Sequence, residues 1–194
     1  MFKAFDRYQA LASNRQLFVL ALTGLALNLW ASGLLNAAYS ASKFPVPYWT
    51  AQLSFDHEKI KDWYAFLIAN RTLDQYVYTQ LFDFLFIASV LILHTSALLA
   101  VSRACSEGSK ARKFMVLAAA ISTIAPLADA VENAISFVML SDPARFPAML
   151  AIAYSSMAAL KFAMFTFAYA ALPAGLLAAL YLRFARLRGR ASEA

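Results

Sequence analysis

Four stretches of the chain are apolar for longer than the interior of a soluble protein asks of a helix. They cover about residues 16–39, 76–102, 114–140 and 148–182, and each exceeds the roughly 20 residues a helix needs to cross a hydrocarbon core about 30 Å thick. The connections RACSEGSKARK and SDPARFP are short, which makes sequence neighbours antiparallel partners. The pattern predicts an all-α integral membrane protein, a four-helix antiparallel bundle in a single membrane domain spanning residues 1–194. Pro173 and Gly175 are expected to kink the fourth crossing or end its membrane part.

Residues 40–75, between the first two crossings, carry a different periodicity. After Pro45 and Pro47, which hold the chain extended, the run DHEKIKDWYAFLIAN places Ile60, Trp63, Tyr64, Leu67 and Ile68 on one helical face. Glu58, Lys59, Lys61 and Asp62 take the other. This predicts an extra amphipathic helix at the membrane interface, acting either as a collar over the bundle or as plain anchoring. Ser54 or Asp56 can cap its start, and the TLDQ of residues 72–75 has the spacing of a capping box for the second crossing.

Polar residues inside the crossings recur every three or four positions. The first crossing shows Asn28, Ser32, Asn36 and Tyr39, the second Tyr76, Thr79, Gln80 and Asp83, and the third Ser122, Pro126, Asp129, Asn133 and Ser136. Facing lipid they would be unpaired, so the three stripes are expected to face one another. By helical rise, Asp83 and Asp129 share a layer about 8–9 Å below the outer boundary, with Glu132 one turn nearer the outside. Lys161 of the fourth crossing starts deeper, but its stem leans toward the helix amino terminus and can reach Asp129. Three acids and one amine in a low-dielectric site cannot all carry charge. Pro126 leaves the Ser122 carbonyl free and is expected to bend the third crossing below Asp129. In the fourth crossing Ala151, Ser155, Ala159 and Ala163 form a seam of small residues, suited to packing within the bundle or between two protomers.

Composition agrees with this picture: 62% of residues are hydrophobic, 14% are charged, and the net charge is +6. Lys3, Arg7, Arg15, the basic residues of the 103–113 loop (Arg103, Lys110, Arg112, Lys113) and the tail (Arg183, Arg186, Arg188, Arg190) outnumber Lys43, Lys59, Lys61, Arg71 and Arg145 on the other side. That bias predicts cytoplasmic termini in a bacterial inner membrane. The basic rims then face anionic lipid headgroups rather than nucleic acid. Cys105 is the single cysteine, so an internal disulfide is excluded. No Glu-x-x-His pair is present, and His94 stands about 16 Å from Asp83 along its helix, while His57 belongs to the outer helix. No metal or cofactor is therefore expected. No nucleophile–base motif and no glycine-rich phosphate loop occurs.

Buried ionisable groups in a membrane mark functional sites. Asp83, Asp129, Glu132 and Lys161 are the acid–base candidates, and Asn28, Asn36, Tyr76, Gln80, Asn133 and Tyr154 the candidate ligand contacts. The expected role is binding of an amphipathic or lipid-like small molecule in a polar chamber, with isomerase-type proton transfer if it is an enzyme. One alternative is a non-catalytic accessory subunit of a larger membrane complex, and another a proton-coupled transporter working as a homodimer. In a purely structural role the same acids tie the bundle together, with Asn28 and Asn133 as hydrogen-bond partners.

Overall fold

The computed structural model describes residues 12–191, and the chain folds as an all-α bundle of four long apolar helical crossings. Lys3 and Arg7, and the side chains of Arg186 and Arg190, which entered the charge count, lie outside the described residues. Helix α1 spans Asn14–Ser42, and two shorter helices follow, α2 (Tyr48–Gln52) and α3 (His57–Ala69). The second crossing is α4 (Leu73–Ala104) and the third is divided into α5 (Lys110–Ile121) and α6 (Ile124–Ser141). Helix α7 (Ala148–Ala191) is the fourth. Helices α2 and α3 cap one end of the bundle, its collar end.

Small residues bring α1 against α4. Leu17, Gly24, Ala31 and Ala38 are buried at intervals of seven, while most of the large side chains of α1 are exposed. A seven-residue repeat keeps one seam facing the partner as the pair supercoils. At its centre a Cβ on Gly24 would stand 2.7 Å from the backbone N of Leu93 and 2.8 Å from its Cα, so only glycine permits the approach. Ser13 opens α1 with the reciprocal bonds of a capping box: its hydroxyl accepts from the Gln16 N–H and its own N–H donates to Gln16 Oε1.

The third crossing breaks at Ser122 and Thr123, nearly two turns before Asp129. Pro126 has no N–H to offer the Ser122 carbonyl, and the Ser122 and Thr123 hydroxyls donate back to the carbonyls of Ala119 and Ala120. The expected bend therefore takes the form of a two-residue interruption. Pro173 lies inside α7, which continues through it to Ala191. The lost bond is a single one within a long helix. Beyond it, the missing side chain of Gly175 makes room for Met115 and Val101, whose atoms come within 3.0 Å of where its Cβ would be.

Helix α3 is packed onto the bundle through a narrower face than its periodicity suggested. Ile60, Tyr64 and Leu67 are buried with Tyr76, Met139, Phe146, Ala151 and Tyr154, whereas Ile68 is exposed. Asp56 caps the helix by accepting the N–H groups of Glu58 and Lys59. These bonds, that of Lys59 foremost, hold its carboxyl below the usual carboxylate range.

The capping box expected at residues 72–75 does not form. Arg71 sits at φ 57°, the Arg71 N–H donates to Ile68 and the Thr72 N–H to Leu67, which is a Schellman ending of α3. The Thr72 N–H that Gln75 would have satisfied is thus already used, and the Thr72 hydroxyl makes no cap bond. The small-residue seam of α7 is also only half used: Ala151 and Ser155 are buried, but Ala163 is exposed. Tyr154, Ala158, Lys161, Phe165 and Ala168 form the inward line.

Candidate functional site

Because α1 packs chiefly along α4, and α7 against α4, α5 and α6, a gap remains between α1 and α7. It forms a cavity of about 430 Å³, within the usual size range of small-molecule sites. Helix α4 supplies its floor through Tyr76, Thr79, Gln80, Asp83 and Phe86. Helix α1 gives Ser32, Leu35, Asn36 and Tyr39, and α7 gives Lys161, Phe162, Phe165, Thr166 and Tyr169. Tyr48 and Gln52 of α2 close the collar end, and Asp129 reaches in from α6.

An ionic cluster is built into the wall. Asp129, Glu132 and Asn133 occupy positions i, i+3 and i+4 of α6 and therefore one face. The Lys161 ammonium donates to Asp129 Oδ1 at 2.9 Å, is ion-paired with Glu132, and lies 5.1 Å from the centre of the Phe162 ring. The Asn133 amide donates to Asp83 Oδ2 at 2.7 Å, and Asp83 and Asp129 both line the cavity. Asp129 is 2% exposed, Glu132 0% and Lys161 4%. Taking such ions from water costs several kcal/mol each, offset only when every charge is paired and hydrogen-bonded. The acids of the second and third crossings and the amine of the fourth therefore converge at one level.

The remaining expected residues separate into three groups. Asn36, Tyr76 and Gln80 line the cavity with Asp83, Asp129 and Lys161. Glu132 and Asn133 stand behind the wall, holding Lys161 and Asp83 in place rather than facing the space. Asn28 and Tyr154 are elsewhere. Eight residues from Asn36, and so about 12 Å further from the collar, Asn28 donates to the Ser89 hydroxyl and ties α1 to α4. Tyr154, seven residues before Lys161, is buried in the collar core.

The pattern along the sequence did not reveal Gln52 and Tyr48, which come from a five-residue helix too short to show a period. It also passed over the ring-lined wall of Phe86, Phe162 and Tyr169, since an aromatic in an apolar helix carries no distinguishing signal. His94 lies with Phe165 and Tyr169, its ring 5.0 Å from that of Tyr169, and His57 pairs with Glu58 on α3. Among the described residues no group of three or more His, Cys, Asp or Glu side chains is arranged to hold a metal ion.

Comparisons with protein-family models, curated proteins and solved structures gave no match.

Proposed function

We propose that the protein binds an amphipathic or lipid-like small molecule in the cavity between α1 and α7. The polar end rests against Asp83, Asp129 and Lys161, and the apolar part lies among the rings of Phe86, Phe162, Phe165 and Tyr169. One observation carries this reading: a cavity of about 430 Å³ with a buried ionic cluster on one wall and a lining elsewhere of aromatic rings interspersed with amides and hydroxyls. Such division between a few convergent polar groups and an apolar lining is typical of small-molecule sites. The distribution of Lys and Arg supports cytoplasmic termini in a bacterial inner membrane. The collar then faces outward, and the ligand enters from the outer leaflet or periplasm through the gap beside α1.

Proton transfer is the chemistry this set can perform. With Asp83 and Asp129 both on the cavity wall, the Asp83 carboxylate can accept a proton from one atom of the ligand and return it to another, with no covalent intermediate. Lys161 holds Asp129 in position throughout. Burial of the cluster weighs against docking of an accessory subunit through these charges, because Asp129, Glu132 and Lys161 have no outer surface to present.

Native mass spectrometry of the protein from mild non-ionic detergent, with lipid analysis of what co-purifies, tests the proposal. The expected result is a stoichiometric adduct that disappears in Leu35→Trp, which fills the cavity from α1. An empty wild-type monomer would overturn it.

A further inference from the structure

We infer that the ligand presents a positively charged amine to the cavity. This rests on the proposed binding role and extends it to the ligand's headgroup. Acidic groups outnumber basic ones in the cluster: Asp83, Asp129 and Glu132 stand with the single amine of Lys161. That amine is already engaged by Asp129, Glu132 and the face of Phe162, so it has little left for an anionic ligand. Asp83, at the cavity wall, receives an amide N–H from Asn133, and among the described residues no ion pair joins it.

Two further groups point the same way. Gln80 and Gln52 are 6% and 9% exposed, both line the cavity, and the amide oxygen of each has no hydrogen-bond partner among the described residues. Buried acceptors left unpaired are costly, and each gains from a ligand that brings N–H donors. The wall thus offers acceptors in excess. A carboxylate or phosphate headgroup would meet like charge at Asp83 and unpaired oxygens at both glutamines. An ammonium group would meet a carboxylate, two amide oxygens and a lining rich in aromatic side chains, whose rings can attract cations. The ring-lined remainder of the cavity suits an apolar skeleton on that amine.

Three probes of equal chain length decide the matter: dodecylamine, dodecanol and dodecanoic acid, each titrated into the full chain in non-ionic detergent and followed by native mass spectrometry. Dodecylamine is expected to bind one to one and about tenfold or more tighter than dodecanol, as a charge-assisted hydrogen bond provides, with dodecanoic acid weakest. Asp83→Asn should bring the amine down to the level of the alcohol while alcohol binding persists. Gln80→Leu, which leaves the Lys161 pairs untouched, should narrow the amine's advantage by a few fold and serves if Asp83→Asn fails to fold. Alcohol or acid binding as tightly as the amine would overturn the amine while leaving the binding role standing. Binding of none of the three would remove the binding role, and the amine with it.

Discussion

Alanine at Gly24 and alanine at Gly33 are chemically the same change on the same helix, yet they should move stability in opposite directions. At Gly33 nothing lies within 4 Å of the new Cβ. Alanine there removes backbone freedom from the unfolded chain and favours the helix, a gain of about 0.5–1 kcal/mol. At Gly24 the new atom would meet the Leu93 backbone N at 2.7 Å and Cα at 2.8 Å. Carbon contacts are comfortable at about 3.5–4.0 Å, so α1 must retreat by about 1 Å. Leu93 offers backbone there, which cannot rotate aside. Overpacking of this kind costs about 1–3 kcal/mol, more than the helix gain, and a gap of 1 Å along the Ala31 and Ala38 seam forfeits part of its dispersion energy. The helix gain is common to both variants, so they should differ by the overpacking cost, about 1–3 kcal/mol. Reversible unfolding in mixed detergent micelles, followed by tryptophan fluorescence, measures this difference. Because α1 also carries Leu35 and Asn36 on the cavity wall, Gly24→Ala should weaken ligand binding as well. A Gly24→Ala protein as stable as Gly33→Ala would refute the close α1–α4 approach.

Lys161→Met should destabilise the bundle by about 3–5 kcal/mol, because it strands Asp129 and Glu132 as buried charges; the triple variant with Asp129→Asn and Glu132→Gln should regain most of that loss in the same unfolding assay. Ser155→Ala removes the acceptor of the Phe55 N–H, a 3.0 Å bond that ties the α2–α3 junction to α7. It should cost about 1–3 kcal/mol and raise proteolysis within residues 43–56. The Asp56 cap makes α3 pH-sensitive. Its carboxyl titrates lower in the folded state than in the unfolded chain, so its contribution is present above the unfolded value and fades as pH falls below about 4. Protection of the Glu58 and Lys59 amides, taken against the intrinsic exchange rate at each pH, should fall over that range in the wild type and stay level in Asp56→Asn.

The four crossings and their antiparallel order were readable from the chain because transfer into hydrocarbon depends on the length of consecutive apolar sequence, a property of one dimension. The meeting of Asp83, Asp129 and Lys161 was also readable, since helical rise sets depth and unpaired charges cannot face lipid. Helical periodicity located the polar stripes but not their partners along the whole length: Asn28 belongs to the stripe of Asn36, yet it bonds Ser89 while Asn36 faces the cavity. The heptad of Leu17, Gly24, Ala31 and Ala38 was present in the letters. Small apolar residues are common in membrane helices, however, and only the contact with Leu93 distinguishes this set.

The cavity is a different kind of property. It exists because α1 commits its small residues to α4 and leaves its polar side without an adjoining helix, while the collar folds back over one end. Burial drives each helix to cover itself and so decides what lies within it. The space left between helices is set by how all of them pack at once, which no single segment's pattern contains.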